Sequence, residues 1–167
     1  KTFEGEIVRL NDDINLEGNY WIPIGNGDHS NRYNYLFAGT FDGNGHYITY
    51  ESTNFDHYYN DDYDEPLGLF GHTYNATIKN LWLKDCKIEL SERETFATDN
   101  AGLLIGFARG DHSTGTTIEN VMVTGGSIKI VDRGHREEFD IWGYSTGEEA
   151  DGQNAGGLIG SVEGNIS

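Results

Sequence analysis

The feature that most constrains this chain is an internal repeat of forty residues. Ile78-Lys79-Asn80-Leu81-Trp82-Leu83, followed by Ile88, returns as Ile118-Glu119-Asn120-Val121-Met122-Val123, followed by Ile128. The isoleucine, the asparagine and both aliphatic positions keep their places. A second element runs ahead of each copy: Leu69-Phe70-Gly71, then Leu104-Ile105-Gly106, then Leu158-Ile159-Gly160. The last two are led by Ala101-Gly102 and Ala155-Gly156. Their spacing differs, 35 residues and then 54, because polar segments interrupt, chiefly 91–100 and 132–154. A regular core with variable loops is how stacked repeat folds are organised.

Period-two alternation identifies the elements. Leu81 and Leu83 flank Trp82, Ile88 and Leu90 flank Glu89, and Ile128 and Ile130 flank Lys129, which reads as strands with one face inward. No sustained 3.6-residue apolar stripe is present, so little or no helix is expected. Each unit offers three short strands, and none buries its inner face alone. Stacking equivalent strands about 4.8 Å apart pairs their backbones and aligns their aliphatics. Leu69, Leu81, Leu83, Ile88, Leu104, Val121, Val123, Ile128 and Leu158 are expected to point inward. Asn80 and Asn120 fall at the bend after the isoleucine and are expected to stack as an amide ladder. Ile166 is expected to open a third Ile-x-Asn-Leu strand.

The N-terminal quarter carries other motifs: Asp13-Ile14-Asn15-Leu16, Trp21-Ile22-Pro23-Ile24-Gly25, and Phe37-Ala38-Gly39-Thr40-Phe41-Asp42-Gly43-Asn44-Gly45-His46. Followed by Gly-Leu-x-Gly units, this order resembles the GLUG-motif β-helix family of bacterial secreted and surface proteins. That family also supplies the non-catalytic region of immunoglobulin A-cleaving metallopeptidases. The resemblance covers nearly the whole chain, with gaps at the polar insertions 51–65, 91–100 and 132–154. It implies an all-β fold, a right-handed parallel β-helix, with no catalytic residues to carry over. A secreted or cell-surface stalk, spacer or adhesive surface is the function it implies. On this reading 1–167 is a single solenoid domain within a longer repeat protein. Residues 1–50 form a cap and first coil, and 67–90, 101–131 and 155–167 form repeat coils.

Charge narrows the partners. With 28 Asp and Glu against 11 Lys and Arg, the net charge of −17 repels a phosphate backbone or an anionic leaflet. No nucleic acid partner and no membrane insertion are expected, and the longest apolar run is far too short to span a bilayer. A protein or glycan ligand, or neighbouring repeats and subunits, are the partners left. Cys86 is alone, so no intrachain disulfide forms, and its register with Gly126 makes it an inward thiol.

Candidate sites are few. Asp61, Asp62, Asp64 and Glu65 crowd enough carboxylates into one loop to suit calcium, but lack the spacing of an EF-hand. A merely solvated acidic loop is the alternative. Tyr33, Tyr35, Tyr58, Tyr59 and Tyr63, with Phe55, could stack on a sugar or a protein partner, or cover the side of the coil. Asp42 could pair with Asp12 or Asp13 as hydrolase carboxylates, although an aspartate beside glycine in a turn is usually structural. The six histidines lack metalloprotease spacing, and neither a nucleophile elbow nor a phosphate loop is present. No cofactor other than calcium is indicated. A carbohydrate-active β-helix and a self-assembling filament subunit are the competing functions.

Overall fold

The computed structural model describes residues 2–19, 21–26, 35–53, 66–90, 100–111, 113–130 and 154–166. In chain order the strands are β1 (Ile7–Arg9), β2 (Ile14–Asn15), β3 (Thr40–Asp42), β4 (Tyr47–Thr49) and β5 (Glu51–Thr53). Next come β6 (Phe70–Tyr74), β7 (Thr77–Lys84), β8 (Lys87–Leu90), β9 (Asn100–Gly102) and β10 (Ile105–Arg109). The last five are β11 (Gly115–Thr124), β12 (Ser127–Ile130), β13 (Asn154–Gly156), β14 (Ile159–Glu163) and β15 (Asn165–Ile166). The chain is all-β, and every pairing between these strands is parallel.

Strands at equivalent places in the repeat lie side by side, and those contributed by one repeat are here called a tier. The largest sheet runs β1-β3-β7-β11-β15, with β4 alongside the second half of β7 and β2 alongside β4. Two further sheets run β6-β10-β14 and β5-β8-β12, and β9 pairs with β13. The forty-residue register is met residue for residue: Ile118 stands on Ile78, Val121 on Leu81, Val123 on Leu83 and Ile128 on Ile88. The short Ala-Gly strands β9 and β13 form a fourth column that the alternation pattern had not separated.

One detail of β7 explains why the repeat needs its asparagine. Strict alternation would send Ile78 and Leu81, three residues apart, to opposite faces. Both are nevertheless buried, because Asn80 has φ of 53° and turns the strand there. Asn120 repeats this at φ 50°. Asparagine is among the few non-glycine residues that adopt this left-handed conformation readily. The two amides also form the expected ladder, Asn120 Nδ2 donating to Asn80 Oδ1 at 3.0 Å.

The core gathers Leu69, Ile78, Leu81, Leu83, Ile88, Leu104 and Ile105, together with Phe37, Phe41 and Phe70, whose rings are in mutual contact. Each fully buried aliphatic contributes roughly 1.5 to 3 kcal/mol of transfer free energy. Tyr50 is buried among them, and its hydroxyl donates to the Leu103 carbonyl at 2.7 Å, tying one tier to another. Close approach is also built into the Leu104-Ile105-Gly106 element. A Cβ on Gly106 would lie 2.7 Å from the Leu67 backbone nitrogen and 2.6 Å from Pro66 Cβ.

Two expectations need correction. Leu69, Leu81, Leu83, Ile88 and Leu104 are buried, whereas Val121, Val123, Ile128 and Leu158 are only partly so and pack against the core from its edge. Val121, Val123 and Ile128 belong to the outermost full tier and Leu158 to the partial tier above it, so each has a face that lacks a covering layer among the described residues. Ile166 does lie in a strand on β11, but it pairs with Thr116 and not with Ile118. The polar link before it is too short to reach the isoleucine column, and β15 joins two residues early.

Candidate binding surface

On the outward face of the large sheet, parity places Tyr47, Trp82 and Met122 in one column, each paired in register with the next. The Tyr47 and Trp82 rings meet edge to face with centroids 5.9 Å apart. Lys84 Nζ lies 5.3 Å from the Tyr47 centroid and 5.6 Å from that of Trp82, within cation–π range. Trp82 Nε1 donates to Thr124 Oγ1 at 2.6 Å, which fixes the indole plane. Met122 continues the strip and is 49% exposed. None of these was singled out from the pattern, which treated Trp82 only as the outward spacer between two leucines. The available signal was the repeat itself, since an aromatic and a methionine share one outward position forty residues apart.

Beside this strip lies a polar corner. Asp12 and Asp13 sit in the turn between β1 and β2, and His46 leads into β4. Asp13 Oδ1 accepts the Tyr47 backbone N–H at 3.1 Å and lies 3.1 Å from His46 Nδ1. One ligand atom from each of Asp12, Asp13 and His46 lies within 4.8 Å of the others, close enough to share a cation. Their hydrogen bonds also clamp the two turns together, a structural role that needs no ion.

Asp42 does not join that corner. Its Oδ2 accepts from Arg9 Nη2 at 2.7 Å and Nε at 3.1 Å, and its Oδ1 accepts from Asn44 N–H at 3.0 Å and Asn80 Nδ2 at 3.1 Å. The Asn80 amide, the Asn44 N–H and the Arg9 guanidinium together hold its carboxyl down to about 2. With four donors on it, Asp42 is an ionised anchor for three tiers, and it has no lone pair in a position to take a substrate proton. Asp111 is likewise held below the usual carboxylate range by the Ser113 and Thr114 N–H groups.

Cys86 is fully buried, and burial pushes its thiol up to about 11, which suits an inert core residue and not a nucleophile. Of the tyrosines expected to bind, Tyr35 is exposed. Tyr33, Tyr58, Tyr59 and Tyr63, together with Asp61, Asp62, Asp64 and Glu65, lie outside the described residues.

Chemically, the outward strip offers an aromatic and thioether surface with a cation over it and two carboxylates at one end. Such a surface stacks on a sugar ring or an apolar side chain, and its neighbouring polar groups orient the ligand. Compared with family models, with curated proteins and with solved structures, the chain has no match.

Proposed function

We propose that the chain is a right-handed parallel β-helix of the GLUG-motif kind, serving outside the cell as a non-catalytic structural or adhesive module. The observation that carries this reading is one sheet used on both faces. Its tiers stack their aliphatics inward and display Tyr47, Trp82 and Met122 in a row outward. Secretion or surface display, and the role of stalk or spacer, rest on the motif resemblance.

Adhesion is tested with a glycan array and immobilised extracellular-matrix proteins as probes. A ligand found there should bind the Tyr47→Ala, Trp82→Ala double variant at least tenfold more weakly, with little change in far-UV circular dichroism. Undiminished binding by the double variant would remove the strip from the proposal.

A carbohydrate-active enzyme is the second reading, and the exposed Asp12, Asp13 and His46 corner is what favours it. Release of reducing ends or unsaturated products from acidic polysaccharides, abolished by Asp13→Asn, would establish that reading over the first. Calcium at Asp61, Asp62, Asp64 and Glu65 is also proposed, from carboxylate density alone. Calorimetry with millimolar calcium should give saturable heat, and a flat isotherm would dispose of it.

A further inference from the structure

The bend Asp42-Gly43-Asn44-Gly45, which leads from β3 towards β4, sets a reactive dipeptide against β7. His46 N–H donates to the Gly43 carbonyl at 2.9 Å, and Asn44 and Gly45 have φ of 54° and 83°, so both central residues of the turn are left-handed. Asn-Gly is the dipeptide such a turn prefers. It is also a favoured site of deamidation, because glycine leaves its nitrogen unhindered. In that reaction the Gly45 nitrogen gives up its proton and bonds to Asn44 Cγ. The bond from Cγ to Nδ2 breaks, and ammonia leaves with the proton. Water then opens the succinimide ring to aspartate or, through the other carbonyl, to isoaspartate.

The stacked fold withholds the nucleophile. Gly45 N–H donates to the Asn80 carbonyl at 2.9 Å and Gly43 N–H to the Lys79 carbonyl at 2.8 Å, so β7 holds both glycine nitrogens of the bend. Asn44 is pinned as well: its backbone N–H donates to Asp42 Oδ1 at 3.0 Å and its Nδ2 to the Leu10 carbonyl at 3.3 Å. A nitrogen committed to a carbonyl of the next strand neither loses its proton readily nor turns towards Cγ. The products fit the bend poorly. Isoaspartate adds a methylene to the main chain between residues 44 and 45, where the neighbouring packing is tight: a Cβ on Gly43 would already lie 2.5 Å from the Asn80 carbonyl oxygen and 2.8 Å from Leu81 Cβ. Either product also replaces the amide that donates to Leu10 with a carboxylate that has no proton to offer.

We propose that Asn44 is a deamidation site closed by the stacking of β7 on β3 and β4, and that isoaspartate formed there turns a transient separation of these tiers into a lasting one. Opening of β7 from the bend frees Gly45 N–H, and the same event exposes Asn44 to its neighbour's attack. The inference rests on the hydrogen bonds of the bend and not on the adhesive reading, so either can fail alone.

The test is site-resolved mass spectrometry of the 167-residue protein incubated at mildly alkaline pH, in buffer and in denaturing urea, with hydrogen exchange at Gly45 followed in parallel. Asn44 should convert at least about tenfold more slowly in buffer than in urea, the protection expected of an amide released only by local opening. Urea too dilute to unfold the whole protein should quicken Gly45 exchange and Asn44 conversion together. Equal conversion in buffer and in denaturing urea would overturn the proposal. Conversion that stays flat while Gly45 exchange quickens would do the same. The variant Asn44→Gly keeps a residue at ease with positive φ and has no side-chain amide to lose. After long incubation in denaturing urea and dilution, it should regain its native far-UV circular dichroism, whereas the parent should lose signal in proportion to the isoaspartate found at residue 44. Full refolding of parent chains that carry isoaspartate there would overturn the lasting separation.

Discussion

The tier built on β7 and β8 and the tier built on β11 and β12 carry the same pattern in the same register, yet they differ in burial. Ile78, Leu83 and Ile88 are 0% exposed, while their partners Ile118, Val123 and Ile128 are only partly buried. Nothing in the local sequence separates the two sets. The difference comes from a layer on both sides in one case and on one side in the other. In a stacked repeat, burial belongs to the interface between tiers and not to the strand that supplies the side chain.

Truncating equivalent residues should show the largest contrast. Leu83→Ala leaves a cavity closed on both sides and should cost about 2 to 5 kcal/mol in urea denaturation. Val123→Ala removes less and from an open side, so about 1 kcal/mol or less is expected. Equal losses would mean that the outer tier is as well covered as the inner one.

Glycines sharpen the same comparison. Gly106→Ala drives a methyl into the Pro66-Leu67 backbone and should cost about 1 to 3 kcal/mol. Gly157, in register with Leu103 of the tier beneath, has open space where its Cβ would go, and Gly157→Ala should fall within about 0.5 kcal/mol of the parent. A damaging Gly157→Ala would reveal a close neighbour there.

Next in size is the asparagine ladder. Asn80→Ala loses both a favoured left-handed residue and its bonds to Asp42 and Asn120, about 1 to 2 kcal/mol in all. Asn120→Ala loses only the bond to Asn80 and its own φ preference, and about half that effect is expected. Asn80→Gly, which keeps the bend, should recover part of the loss. If it recovers everything, the amide bonds contribute nothing.

The smallest effect is in the acid limb of the stability profile. Because the Asp42 carboxyl lies near 2 in the folded chain against an ordinary 3.8, its ionised form favours folding above about pH 4. That contribution fades as pH falls through 4 towards 2. In Asp42→Asn the melting temperature should start lower at pH 7 and decline less over this window than in the parent. A parallel decline in both proteins would mean that the Arg9 and Asn80 bonds do not hold Asp42 in solution.

Much of the architecture was legible because the repeat states its own register. Once Ile78 and Ile118 are aligned, every pair from Thr77 with Thr117 to Leu83 with Val123 follows, and so does the amide ladder. The role of Asp42 was half legible, since its place beside Gly43 argued for structure, but its partners Arg9 and Asn80 are 33 and 38 residues away. The outward strip of Tyr47, Trp82 and Met122 went unread. Tyr47 belongs to the N-terminal quarter, where no forty-residue repeat links it to Trp82.

The sequence by itself determined the strands of the forty-residue repeat, their parallel stacking partners and the positions at which the chain must bend, because these follow from periodicity and from the few residues that tolerate a left-handed φ. Tertiary structure alone decided which inward residues are sealed, where β15 joins the stack, and which outward side chains gather into a surface. Those outcomes depend on the distance between residues far apart in the chain, and a local pattern carries no record of that distance.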